Sequence, residues 1–419
     1  MDAMIYISVG LLIVLAILVW LRPKDEGGEY TPYFQHLNNQ LRNKGSAQPR
    51  MIVDLDCLDH NLALLKNYHR EVKPVRLVVK SLASLPLLDH CMRALDTDKL
   101  MVFDISFLRQ VVKRWPHTSI MMGKPIPVAA VSDFYGKCPG QDLTNIIWLV
   151  DNEDRLQKMV DLASRLEIKI NLAIELDIGF HRGGIETASE LINIIAILKE
   201  SSWCQLTGLM GYDPHLSKIP DWLGRSKLLE KSQGIYRKFL QVLTQECPGI
   251  LRSDFIINGA GSPTFRLHTS ESPLNEVSVG SALLKPDDFS LPLLSDFKEA
   301  LYIAAPVLKK SDGPTVPLLE RFGKSWALWN PNRRQTFFLY GGYWKAKVES
   351  PKGMLLNPIF GRSSNQELLS GSLKVRLDVD DHIFLKPTQS EAVLGQLGPL
   401  MTYRKSGFKD HWPVMTHVY

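Results

Sequence analysis

The sequence has no pair of cysteines at CxxC spacing, no block of like charge, no basic patch interleaved with aromatics and no GxGxxG turn. Each absence closes a class of answer. Five scattered cysteines (57, 91, 138, 204 and 247) read as reduced thiols of a cytosolic setting, not as a disulfide framework or a zinc site. A net charge of +5 spread evenly along the chain gives no footprint for nucleic acid. Without GxGxxG after any strand, an open nucleotide-binding sheet loses its usual phosphate site. What remains is an ordinary globular composition, 45% hydrophobic and 22% charged, over 419 residues, which is enough for one large and one smaller domain.

The first residues depart from that composition. Met4–Leu21 carries no charge and is just long enough to span a bilayer; Trp20 stands at its trailing edge, and Arg22 and Lys24 come next. Basic residues after the apolar run, with no small-x-small site beyond them, favour an anchor over a cleaved signal peptide. The expectation is a transmembrane anchor over 1–24, single-pass, with the catalytic part in the cytoplasm. A polar linker over 25–48 comes after it, with one short helix near 33–42.

From Val75 the pattern alternates. Apolar strand candidates at 75–80, 99–104, 119–123, 145–150, 168–175, 205–212, 254–258 and 276–279 are separated by helix-like stretches such as 85–95, 105–114, 153–166, 188–200 and 227–246. Eight strands in this rhythm predict an α/β fold, a (β/α)8 TIM barrel over 49–298. From residue 299 short segments at 301–307, 335–340, 373–379 and 382–385, parted by Pro, Gly and Ser, predict a small all-β domain to 419. The early strand 51–56 has no slot in the barrel and is assigned to that sheet.

The strand ends carry the polar residues. VRLVVKSLAS (75–84) runs an apolar strand into Lys80, where an amine in a pocket loses hydration and gains nucleophilicity; the other reading is a strand-end lysine in solvent. ELDIGFHRGG (175–184) presents Arg182, either a pocket residue or a structural partner of Glu175 or Asp177. GYDPH (211–215) offers Tyr212 and His215. NGAGSPT (258–264) and EVSVGS (276–281) supply Gly259, Gly261, Ser262, Thr264, Gly280 and Ser281, small residues whose backbone N–H groups suit a phosphate after strands seven and eight.

Together DLDCLDHNL (54–62), VKSLAS (79–84), DIGFHRGG (177–184), NGAGSPT and EVSVGS resemble, in order, the segments of the alanine racemase-type (fold type III) pyridoxal phosphate enzymes, and most nearly their D-threonine aldolase and D-serine dehydratase branch. The resemblance covers about residues 48–395. It implies pyridoxal 5'-phosphate as cofactor and a Schiff base on Lys80. It also implies Arg182 facing the pyridine nitrogen, Tyr212 as a hydroxyl donor, and a homodimer. That branch holds a metal through a histidine and a cysteine or aspartate; LKPTQSEAV (385–393) has Gln389 and Glu391 there, so no divalent metal is expected. Glu391 then reads either as a general acid or base or as a surface turn glutamate. Asn365 and Gln366, with Gln389, are candidate substrate-binding residues. The expected activity is a lyase acting on a small D-amino acid, by aldol cleavage or dehydrative deamination, through Lys80. The alternatives are a racemase using Lys80 and a tyrosine such as Tyr340 or Tyr343, and a non-catalytic pyridoxal phosphate-binding protein.

Overall fold

The structure, a computed structural model, describes residues 10–417 except 11–12, 14–15, 18, 44–46, 314–325 and 358–359. The chain divides into two compact units, each discontinuous in sequence. The first comprises Met1–Ile52, Tyr302–Thr388 and Lys405–Lys409, the second Val53–Leu301, Gln389–Arg404 and Asp410–Tyr419. Residues 389–404 and 410–417, beyond the expected boundary at 298/299, thus group with the barrel. The proposed anchor lies largely outside the described residues. Among the described residues no helix is long and apolar enough to cross a membrane.

The second unit is a closed barrel of eight parallel strands: β2 (Val75–Val78), β3 (Lys99–Val102), β4 (Ser119–Met122), β5 (Ile146–Val150), β6 (Ile170–Leu176), β7 (Cys204–Gly211), β8 (Ile256–Gly259) and β9 (Glu276–Val279). Closure pairs Val75 with Val277 and Leu77 with Val279. Before the barrel, α2 (Leu55–Glu71) starts where the Asp54 carboxylate accepts from the N–H groups of Asp56 and Cys57. The intervening helices are α3 (Leu85–Leu95), α4 (Ile105–Arg114), α5 (Val128–Gly136), α6 (Glu153–Leu166), α7 (Ala188–Glu200) and α8 (Arg225–Glu246), with the short α9 (Ser281–Leu284) after β9. Helix α5 was not singled out in the sequence: VAAVSDFYG is short, and Pro125 and Pro127 precede it.

Inside the barrel, Val78, Met101, Met121, Ile147, Leu149, Ala173 and Met210 form an apolar layer. Towards the strand starts lies a polar layer. Arg76, fully buried, donates Nε to Glu276 Oε1 at 2.6 Å and Nη2 to Glu276 Oε2 at 3.1 Å, while its Nη1 reaches the carbonyls of Leu100 and Ser119. Lys99 Nζ brings a second cation to 3.0 Å from Glu276. Burial opposes ionisation of Glu276, but Arg76 and Lys99 outweigh it and hold the carboxyl at about 2.

The first unit is built on antiparallel strands. Its strands run in the order β13 (Leu355–Leu356), β14 (Leu368–Gly371), β11 (Gln335–Leu339), β10 (Leu301–Asp312) and β1 (Arg50–Asp54); β15 (His382–Pro387) pairs with β10 and with β12 (Ala346–Ser350). β1 thus joins this sheet, as its lack of a barrel slot required. The expected strand 373–379 is absent. Val375 and Leu377 are buried and Leu373 and Val379 exposed, but the segment opens in a turn from Val375 N–H to Ser372 O and forms no ladder. The short helix expected near 33–42 is present and docked. Helix α1 (Pro32–Asn43) buries Phe34, Leu37 and Leu41, and Asn38 Nδ2 donates to Asp381 Oδ1 at 2.8 Å.

Candidate active site

The candidate site is assembled from the turns and loops at the C-terminal ends of the barrel strands. β2 stops at Val78, two residues short of the expected strand end at Lys80, so the lysine stands in a single 3-10 turn, Val79–Leu82. A turn there swings the lysine side chain over the barrel mouth. Its Nζ lies 4.5 Å from the centre of the Phe103 ring and 3.7 Å from Glu391 Oε1. Phe103 comes directly after β3 and lies over Gly123, where a Cβ would run into the ring. Glu391 reaches the lysine because Ser390 Oγ donates to Ser81 O at 3.0 Å, tying the 390–392 turn to the turn that carries Lys80.

After β6 the chain makes a tight loop around Asp177. The carboxylate accepts from Gly179 N at 2.8 Å, His181 N at 3.1 Å and His181 Nδ1 at 3.0 Å. Burial would raise the Asp177 pKa, and these hydrogen bonds more than reverse that, leaving it lowered. His181 takes a left-handed φ of +54°, and Gly184 at φ +101° returns the chain against the Asp177 backbone, where a Cβ would lie 2.7 Å from Asp177 N. The loop delivers Arg182 against a pair of touching rings, its guanidinium carbon 5.1 Å from the centre of Tyr212 and 5.3 Å from that of Phe180. Its guanidinium forms no ion pair or hydrogen bond among the described residues, so the alternative of a structural pairing with Glu175 or Asp177 is not what the geometry has. Glu175 is raised by burial, with Arg182 pulling the other way, and burial raises Tyr212.

The loops after β8 and β9 form the opposite wall. Ala260 sits at φ +60°, and a Cβ on Gly261 would strike Tyr212 Cε2 at 2.7 Å, so this backbone passes directly under the tyrosine ring. Ser262 Oγ accepts from both Gly280 N and Ala282 N at 3.0 Å, stitching the two loops together. Gly280 has no room for a side chain, because a Cβ would be 2.8 Å from Val78 Cβ and 2.9 Å from Val78 O. The N–H groups of Ser262 and Ser281 find no acceptor among the described residues. Behind the loop, buried Asp213 accepts from Thr264 Oγ1 at 2.6 Å and pairs with His268 Nε2 at 2.8 Å.

Lys80, Arg182, Tyr212, Gly261, Ser262, Gly280, Ser281 and Glu391 thus line one open cavity of about 660 Å³. The other candidates lie elsewhere. Gly259 ends β8 against Leu274 and Tyr236, and Thr264 is fully buried on Asp213. Gln389 precedes the 390–392 turn without lining the cavity. Asn365 and Gln366, like Tyr340 and Tyr343, belong to the first unit. His215 stacks on Phe180 at 5.8 Å and its Nδ1 has no partner among the described residues. Sequence reasoning passed over Phe103, Ser81 and Ser278, which also line the cavity. Phe103 had a signal, since it stands just past β3 as Lys80 stands just past β2. Among the described residues no group of three or more His, Cys, Asp or Glu side chains could hold a metal ion.

A cavity with a lysine amine at one side, a donor-only guanidinium at another and unengaged N–H groups on glycine-serine loops fits a phosphorylated carbonyl cofactor. Comparison with known proteins bears on the fold that builds it. D-threonine aldolase from Filomicrobium marinum superposes with a TM-score of 0.70 at 17% identity, covering 88% of this chain and 94% of that one. D-threo-3-hydroxyaspartate dehydratase from Delftia sp. HT23 gives 0.68 at 16%, covering 88% and 98%. Alanine racemase from Bacillus anthracis gives 0.66 at 13%, covering 87% and 97%. No curated protein matches the sequence. The alanine racemase N-terminal domain family matches residues 53–287. That span is more than half of the chain and coincides with the barrel that carries Lys80 and Arg182, so the protein belongs to the alanine racemase N-terminal domain family.

Proposed function

We propose that the protein is a pyridoxal 5'-phosphate-dependent lyase acting on a small D-amino acid that carries a β-hydroxyl group. The observation that carries this reading is the Lys80–Glu391 pair, an amine and a carboxylate 3.7 Å apart beside the glycine-serine loops. Lys80 would hold the cofactor's carbonyl, the N–H groups of Ser262 and Ser281 its phosphate, and Arg182 its ring nitrogen. When bound, the cofactor supplies an electron sink for negative charge at the substrate Cα.

The chain's own groups do the rest. Lys80 Nζ is the base that takes or returns a proton at Cα. Glu391 is an acceptor for the proton of the β-hydroxyl in aldol cleavage, and once protonated a donor to the departing hydroxyl in dehydration. Arg182 has only donors and cannot give up its proton, so it leaves whatever nitrogen it faces unprotonated. The apolar side chains of Val78, Met101 and Met210 give the cavity an apolar floor. Similarity to an aldolase and a dehydratase supports the lyase reading at the level of fold. We also infer a homodimer, from the resemblance to the racemases, and a membrane anchor, from the uncharged run Met4–Leu21.

The test is spectroscopic first. Full-length protein in detergent, mixed with pyridoxal phosphate, should gain a near-violet band that Lys80→Ala abolishes. D- and L-β-hydroxy amino acids are then supplied to wild type and to Glu391→Gln. Release of glycine plus an aldehyde, or of a 2-oxo acid, from the D series supports the lyase. An amino acid recovered with inverted configuration would instead make it a racemase, and no band in wild type would sink the cofactor assignment.

A further inference from the structure

A second cavity of about 1120 Å³ opens onto the first, and the two share Lys80, Phe103 and Glu391. One of its walls comes from an unexpected place, the segment after the strand Gly407–Trp412. Pro413 ends that strand, and the chain then runs back across the barrel mouth. Met415, buried, donates its N–H to Ala83 O at 2.8 Å, three residues beyond Lys80. Gln110 Nε2 holds Thr416 O at 3.0 Å. The His417 ring stacks on Phe107 at 4.8 Å, and its Nδ1 lies 3.4 Å from Asp104 Oδ1. The segment is therefore fastened at three successive residues, each to a different anchor near the mouth.

We propose that Met415–His417 is the specificity wall of this site, limiting the girth of the side chain that can reach Lys80. The polar groups around it also select by chemistry. Asp104 is occupied by the N–H groups of Ser106 and Phe107 and by His417, and Glu391 faces Lys80. Lys124, at the same cavity, has no carboxylate partner among the described residues. Lys124 is thus a cation available to a ligand at this cavity, which suits a short side chain ending in a carboxylate or hydroxyl. This deepens the reading of Lys80 as the reactive amine, and it is tested without the cofactor.

The experiment acylates the full-length, cofactor-free protein with two N-hydroxysuccinimide esters, one acetyl and one biotinyl, and reads the Lys80 rate constant by peptide mass spectrometry. Exposed Lys113 serves as internal control. In His417→Ala, and in a chain ending at Pro413, the biotinyl-to-acetyl rate ratio at Lys80 should rise by about tenfold, the scale on which pockets discriminate small groups. Thr416→Trp, which keeps every backbone anchor, should lower it. An unchanged ratio in His417→Ala and Thr416→Trp, both melting like wild type, overturns the proposal. Failure of the near-violet band with the ratio still shifting would strike the cofactor reading and leave the wall standing.

Discussion

Glu276→Gln isolates the polar layer of the barrel. Glu276 is 1% exposed and accepts from Arg76 Nε and Nη2, Lys99 Nζ and Asn258 Nδ2. The amide keeps the shape but removes the charge and turns an NH2 group towards cations, leaving Arg76 buried without a counter-ion. Breaking a buried pair from one side costs about 3–5 kcal/mol. Linkage gives a similar figure. The Glu276 carboxyl is lowered from 4.5 to about 2, burial opposing and Arg76 overriding, which corresponds to about 3 kcal/mol. A lowered carboxyl contributes fully above its unfolded value near 4.5 and loses its contribution as pH falls towards 2. Wild type should therefore lose stability over that window more steeply than Glu276→Gln, and the two should converge at the acid end. Urea unfolding followed by fluorescence, with Trp148 in β5 as a buried reporter, reads both effects. A cost under about 1 kcal/mol at neutral pH, with parallel pH profiles, would show that the cluster is solvated and refute the argument. The layer also touches the cavity, because Ser278 Oγ donates to Asn258 Oδ1, so a surviving mutant should bind pyridoxal phosphate more weakly in absorbance titration.

Three further outcomes are expected. Asp213→Asn puts an amide where both Thr264 Oγ1 and His268 Nε2 expect a carboxylate; it should cost about 2–3 kcal/mol in urea unfolding and loosen the 259–264 loop, raising the Kd for pyridoxal phosphate in a titration. Gly280→Ala drives a methyl group against the Val78 backbone and should cost about 1–3 kcal/mol, whereas at Gly123→Ala the nearest atoms are side-chain atoms of Phe103, so that variant should melt closer to wild type. Glu391→Gln should keep the near-violet band while slowing β-hydroxy amino acid cleavage by about a hundredfold in a product assay, the usual contribution of a positioned acid or base.

Much of the architecture was legible from local pattern. Apolar runs alternating with amphipathic stretches define parallel strands buried on both faces, and that periodicity needs no knowledge of the partner strand. The polar residues that break the runs at their ends are the ones gathered at the cavity: Lys80, Arg182, Tyr212 and the two glycine-serine loops. Chain order alone places them on one face, because every strand of a barrel points the same way.

What the sequence left undecided depends on partners far away in the chain. Arg76 reads as an interruption of an apolar strand until β9 brings Glu276 beside it. Thr264 looks like another phosphate donor, yet Asp213 draws its hydroxyl inward. Glu391 could equally have been a surface turn; a hydrogen bond between residues 309 positions apart, Ser390 and Ser81, is what brings it to Lys80. Residues 413–417 carry no periodic signal at all, and only packing on Ala83, Gln110 and Phe107 makes them a wall. Periodicity determines which face of an element is buried. Which distant group meets that face is fixed only when the barrel closes, and here that closure turns an isolated lysine into a site.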